Sequence, residues 1–222
     1  MNGAILKILA VIFMTVDHVG MVLFPQHILF RQIGRLAFPI FAYMIAEGCC
    51  YTRSMPKYWG LVTVVAAVCQ IVYFVAMDSL YQCIFVTFSL SIGLIWLLKI
   101  AQGRGGVRWA LPILGLCAVF FVTEMLPYIL DGTDYAVDYG FWGVLLPVAV
   151  YIGKTKWEKL LLATIVLVVL ALGSGSIQFY SLLSLALLAL YNGKRGKGLG
   201  KYFFYIYYPL HLLIIQGVAY LR

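Results

Sequence analysis

Asp17 and His18 are adjacent within residues 4–24, AILKILAVIFMTVDHVGMVLF, where the other members are apolar or small apart from Lys7 and Thr15. An imidazole exchanges protons near neutral pH and a carboxylate can orient it, so the pair is equipped for acid–base chemistry. An ionisable side chain at bilayer depth costs roughly 2.5–3.5 kcal/mol or more unless it faces protein interior or a watery cavity. Lys7 precedes His18 by eleven positions, about 16 Å of helix and close to three turns, so both can face one cavity. Consecutive helical residues point about 100° apart. Asp17 therefore either serves His18 or turns to Arg31 or Arg35, and an Asp–Arg clasp beside a hydrogen-bonded core histidine is the purely structural reading.

Further candidates lie downstream. In RQIGRLAFPIFAYMIAEG, residues 31–48, Arg35 and Glu47 are twelve apart and can share a face, with Pro39 expected to bend the helix between them. Arginine suits a carboxylate or phosphate partner, and Glu47 needs a cation such as Lys7 or Lys57. His211 stands mid-span in KYFFYIYYPLHLLIIQ, just after Pro209. It is either a satisfied core group or a lining of the His18 cavity, with Tyr205, Tyr207 and Tyr208 supplying hydroxyls or plain aromatic packing. His27, in FPQHILF, reads as a solvated loop residue. Asp131, Asp134 and Asp138 precede Tyr139 and Gly140 in a polar loop that is a solvated surface or a weak calcium or cationic-substrate site. Asp138 is the one placed to reach the interior.

The elements that must carry these residues are membrane helices. The 222 residues are 64% hydrophobic and 11% charged, with a mean hydropathy of +0.99, whereas soluble domains carry about 25% charged residues. We expect an all-α, polytopic transmembrane helix bundle forming a single domain over residues 1–222. Its spans, about nine with eight as the competitor, fall near 4–24, 31–52, 57–77, 83–101, 107–129, 139–153, 158–173, 177–191 and 201–221. The sixth to eighth are short enough to be tilted, re-entrant or partial. No cleavable signal peptide pattern is evident. Internal repeats, which would favour an inverted-repeat transporter, are not visible either. GRGG at 103–106 lacks the lysine and strand–helix setting of a phosphate loop. Cys49, Cys50, Cys69, Cys83 and Cys117 lack CxxC spacing and read as small core hydrophobes rather than disulfides or metal ligands.

Charge orients the chain. Arg53 and Lys57; Lys99, Arg104 and Arg108; Lys154, Lys156 and Lys159; and Lys194, Arg195, Lys197 and Lys201 occupy alternate connections. With Lys7 they leave only Arg31, Arg35 and Arg222 of the sixteen basic residues elsewhere. By the positive-inside rule the N-terminus is cytoplasmic. This distribution explains the net charge of +8 without nucleic acid. The expected location is the cytoplasmic (inner) membrane of a prokaryote.

Several segments resemble the TraX family, integral membrane proteins associated with N-terminal acetylation of conjugative pilin. They are LKILAVIFMTVDHVGMVLFP (6–25), RQIGRLAFPIFAYMIAEG (31–48), YTRSMPKYWGLV (51–62), FVTFSLSIGL (85–94), VDYGFWGVLLPV (137–148), YNGKRG (191–196) and FFYIYYPLHLLII (203–215). The Lys7…His18 spacing is also similar to the basic-x10-His motif of larger membrane acyltransferases that use cytoplasmic acyl-CoA. The resemblance implies transfer of an acetyl or short acyl group from acyl-CoA, with no metal. The acceptor is a peptide amine, polysaccharide or lipid-linked sugar. It implies that His18 is the catalytic base, that Lys7 lies on the acyl-donor path and that Arg35 stabilises donor or transition-state charge. We accordingly assign His18, Asp17 and Arg35 to catalysis, Lys7, Glu47 and His211 to holding acetyl-CoA, and Arg31, Asp138 and Tyr208 to the substrate. A proton-coupled transporter using Asp17, His18, Glu47 and His211 is the alternative, and a non-catalytic scaffold the third reading.

Overall fold

Long apolar runs with polar breaks give nine helical segments among the described residues. These are α1 Gly3–Leu23, α2 Ile28–Tyr51, α3 Met55–Met77, α4 Ile84–Arg104 and α5 Gly106–Ile129. They continue as α6 Gly140–Ile152, α7 Lys156–Ser174, α8 Ser176–Ala189 and α9 Phe203–Tyr220. The computed structural model describes residues 1–104, 106–198 and 203–221. Gly105 within GRGG, residues 199–202 with Lys201 and the start of the ninth expected span, and Arg222 lie outside the described residues. Among those described, no strand forms; Gln82 and Val137 make one isolated bridge. The protein is an all-α integral membrane protein.

Seven segments are long and apolar enough to cross a bilayer, α6 and α8 being the exceptions. The expectation of three short spans needs correction at the seventh. α7 runs 19 residues, because Thr155 and Glu158 form a capping box that starts the helix ahead of its apolar run. α6, at 13 residues, reaches about 20 Å. α8 begins as eight residues of 3₁₀ helix and ends as six of α-helix. At 2.0 and 1.5 Å per residue it covers about 25 Å, near the 30 Å of a hydrocarbon core.

Pro39 acts where its ring meets the chain rather than where it sits. A helical proline lacks the N–H for the carbonyl four residues back and collides with it, and that residue is Arg35. α2 accordingly breaks into Ile28–Gly34 and Ala37–Tyr51, at Arg35 itself rather than midway to Glu47. The break resets the helical register, so the twelve-residue spacing of Arg35 and Glu47 no longer implies a shared face.

The chain forms two compact units, one of Met1–Met44 with Thr155–Arg222, the other of Ile45–Lys154. In the first, α1 lies against α2 at two glycines. A methyl group on Gly20 would stand 2.2 Å from Phe30 Cβ, and one on Gly34 2.2 Å from Asp17; small residues here let two backbones approach closely. α9 runs parallel to α1, bringing Phe204 to Lys7 and His211 to His18. The loop after α8 is stitched to the start of α1: Gly3 N donates to Lys194 O at 2.8 Å and Ala4 N to Arg195 O at 3.0 Å. Lys156 Nζ caps Ala189 O at the same end, as cations do at helix C-termini. Leu6, Ala10, Leu167 and Leu188 fill the interior.

The second unit is fastened by small polar groups. Thr63 and Ser89 hydroxyls meet at 2.7 Å between α3 and α4, and Ser91 Oγ donates to Val144 O at 2.8 Å between α4 and α6. Lys99 Nζ caps Cys49 O at 2.6 Å. Val64, Val68, Ile71 and Val75 expose one stripe of α3, a surface suited to lipid. Cys49, Cys69 and Cys83 are buried and all five cysteines are free, but Cys50 and Cys117 are exposed, so the core role expected of those two is not met.

Candidate functional site

α1 presents two stripes to two neighbours. Lys7, Val11, Thr15 and His18, at helical spacings of four, four and three, face α9. Lys7 Nζ stands 5.7 Å from the Phe204 ring centre. Thr15 Oγ1 donates to Val11 O at 2.8 Å and lies 2.8 Å from Tyr207 Oη. His18 Nδ1 is 2.8 Å from His211 Nε2, and His211 Nδ1 is 3.1 Å from Tyr207 O. The Tyr207 ring stacks on His211 with 5.2 Å between centres and a 7° interplanar angle. Tyr208 meets His18 and His211 edge-on at 6.1 and 5.4 Å. His211 and Tyr208 are buried, while His18 is half-buried.

The other stripe, Asp17 and Gly20, faces α2. Arg31 Nη1 donates to Asp17 Oδ2 at 2.7 Å, and Arg35 Nη2 lies 3.8 Å from Asp17 Oδ1. The alternatives left open for Asp17 resolve in favour of the arginines. Arg35 Nη1 also reaches Gln178 Oε1 of α8 at 3.5 Å. Arginine only donates, so this contact assigns the Gln178 amide and leaves Nε2 on its free side. Asp17 Oδ1, Gln178 Nε2 and Ser181 Oγ are buried without a hydrogen-bond partner among the described residues. Buried polar atoms are paired as a rule, so these three stand out as exceptions beside the Asp17–arginine cluster.

The structure brings together His18, Asp17, Arg31, Arg35, Lys7, His211 and Tyr208 in the first unit. Glu47 and Asp138 belong to the second. Glu47 is buried. Asp138 accepts from Tyr81 Oη at 2.8 Å, and its carbonyl accepts from Thr87 Oγ1 at 2.7 Å, so it clasps the 78–83 loop. Burial, then the Asp138 charge, pushes the Tyr81 phenol pKa up, keeping it a donor. Asp134 performs the same office for Ser79 and Leu80. Among the described residues no three His, Cys, Asp or Glu side chains are grouped to hold a metal ion. His27 precedes α2, exposed, near Phe24 and Phe30.

Four contributors escaped the sequence reading. Gln178 and Ser181 are ordinary polar residues in IQFYSLLSLALL, and only their burial at 2% and 0% exposure distinguishes them. Thr15, the single hydroxyl of the first span, was visible but had no evident partner. Glu124 sits in a π-helical turn, Phe121–Met125, that aims its carboxylate at Phe141 N at 3.0 Å, where the start of α6 favours negative charge.

Comparison with known proteins agrees with the segments singled out above. The profile of the family described as "TraX protein" matches residues 2–219. A "Probable fimbrial assembly protein FimC, serogroup H1" of Dichelobacter nodosus is 25% identical over 243 aligned residues, covering 95% of this chain and 92% of that protein. An "Uncharacterized protein RP591" of Rickettsia prowazekii (strain Madrid E) is 51% identical over 39 residues, 18% of this chain and 16% of that protein. No solved structure matches.

Proposed function

The chain belongs to the TraX family, and on that premise we propose that it is an inner-membrane acyltransferase that passes an acetyl or short acyl group from cytoplasmic acyl-CoA to an acceptor at or beyond the membrane. The single observation that carries this reading is the half-buried His18, held by His211 at 2.8 Å, with an arginine–aspartate cluster one residue away. Acyl transfer needs a base and a cationic or dipolar partner for the developing oxyanion. His18 takes the proton of the acceptor amine or hydroxyl, and the acceptor atom bonds to the thioester carbonyl carbon. The carbon–sulfur bond then breaks, and the coenzyme A thiolate recovers the proton from the His18 imidazolium. Arg35, which shares Asp17 with Arg31, supplies positive charge for the oxyanion.

The donor end is basic. Lys7, Lys194 and Arg195 gather where the loop after α8 is stitched to α1, a match for the phosphates of coenzyme A. His18 lies about 16 Å further along α1, a distance for the extended pantetheine arm to cover. The kinship with a fimbrial assembly protein favours an exported protein subunit as acceptor. The Asp17, Gln178 and Ser181 atoms left without a hydrogen bond suit an amine or hydroxyl equally.

A proton-coupled transporter fits less well. His211 Nδ1 ends on the carbonyl of Tyr207, which accepts a hydrogen bond but passes no proton onward, and Asp17 is committed to Arg31. The test is labelled acetyl-CoA with the purified protein in lipid. Wild type should form labelled acceptor or hydrolyse the thioester, and His18→Ala should lose about 10²–10⁴-fold of that rate while inserting and folding normally. Full activity in His18→Ala would sink the assignment; proton conductance without any need for acyl-CoA would favour the transporter.

A further inference from the structure

We propose that His211 is the positioning residue for His18, fixing which ring nitrogen carries the proton so that Nε2 of His18 is the basic atom. This rests on the acyl-transfer reading, and the argument is one of donors and acceptors. A backbone carbonyl only accepts, so His211 Nδ1, 3.1 Å from Tyr207 O, carries a hydrogen. In the neutral ring its Nε2 therefore holds a lone pair. His18 Nδ1, 2.8 Å from that Nε2, must be the donor, which leaves Nε2 of His18 as the lone pair. The hydrogen bond made by one ring nitrogen thus sets the state of the other.

Besides that bond, His211 is held on two sides. Thr15 spends its hydrogen on Val11 O, so the Tyr207 hydroxyl donates to Thr15 Oγ1. The Tyr207 ring, pinned at that end, stacks nearly flat on His211, and Tyr208 closes a second side edge-on. The sequence neighbour Asp17, the obvious candidate to orient His18, is occupied by Arg31 at 2.7 Å on the other stripe. When His18 Nε2 takes the acceptor's proton, Nδ1–H already points at a neutral imidazole, and the bond becomes charge-assisted without rearrangement. His211 thereby does for His18 what a carboxylate does for the histidine of a serine hydrolase.

The chain holds three histidines, so ring-¹⁵N-histidine NMR of the full protein in nanodiscs, with His27→Asn to assign the loop signal, reads the tautomers directly. Expected are a protonated Nδ1 and an unprotonated Nε2 for both His18 and His211. His211→Leu should release His18 toward the Nε2–H form favoured by free imidazole. It should also lower acetyl turnover by about 100-fold or more with the KM for acetyl-CoA little changed. His211→Gln, whose amide oxygen can accept from His18 Nδ1, should keep the tautomer and most of the turnover. A wild-type His18 protonated on Nε2, or an unmoved tautomer in His211→Leu, overturns the proposal. Since the NMR readout needs no acetyl-CoA, the expected tautomers in a wild type that transfers nothing would overturn the acyltransferase reading and leave the tautomer lock standing.

Discussion

Asp17 has one oxygen bound by Arg31 and another 3.8 Å from Arg35, so a single carboxylate serves two guanidinium groups. Removing one partner of a largely buried pair is costlier than removing both, because the survivor keeps its charge without compensation. Asp17→Asn should therefore destabilise the protein by about 3 kcal/mol, at the low end for such pairs because Arg31 is partly exposed. Asp17→Asn with Arg31→Gln should lose less than Asp17→Asn alone, measured by reversible unfolding in mixed micelles. An additive double variant would show that the clasp is not the source of the cost. At this scale the sequence offered alternatives for who meets whom, and the structure pairs Asp17 with Arg31 and His18 with His211. Helical spacing allowed Lys7 and His18 one face and left Asp17 between His18 and the arginines. Nothing in composition could announce that Gln178, 143 residues from Arg35, completes the cluster.

Two glycines decide how closely α1 and α2 approach. An added methyl at Gly34 would overlap Asp17 at 2.2 Å, whereas one at Gly60 on α3 meets nothing within 4 Å. Gly34→Ala should cost about 1–3 kcal/mol as overpacking does and reduce transfer by displacing Asp17. Gly60→Ala should be neutral or stabilising by up to about 1 kcal/mol, as expected of a helical glycine without neighbours. Equal effects from both would mean that helix propensity, not packing, dominates. Element positions were legible because hydropathy tracks the bilayer. The position of the break in α2, at Arg35, and the 3₁₀ winding of α8 were not. A proline's influence falls four residues upstream of itself.

At the scale of the molecule, the loops hold each unit's helix ends in register. In the second unit Asp134 receives Ser79 Oγ at 2.5 Å and Leu80 N at 2.9 Å. These bonds, led by that from Ser79, draw its pKa below the usual 3.8. A folded pKa lower than the unfolded one means that the link is complete above 3.8 and lost as pH falls beneath it. Protection of the Leu80 amide, normalised to intrinsic exchange, should fall in that acid range, and in Asp134→Ala it should be low at every pH. Protection indifferent to both acid and substitution would assign the loop's order to other contacts. Of the three aspartates in the acidic loop, Asp134 and Asp138 are ties to the 78–83 segment.

His18 and His211 are 193 positions apart, whereas Asp17 meets Arg31 after 14. Translation at 5–20 residues per second separates these two events in time. The acid of the first helix acquires its cation within about 3 s of synthesis, but the imidazole waits about 10–40 s for the last helix. For that interval the newborn first span would have its Asp17 partner in reach while His18 still lacks His211. A truncated or stalled chain would thus carry the clasp and His18 but not the His211 that positions it.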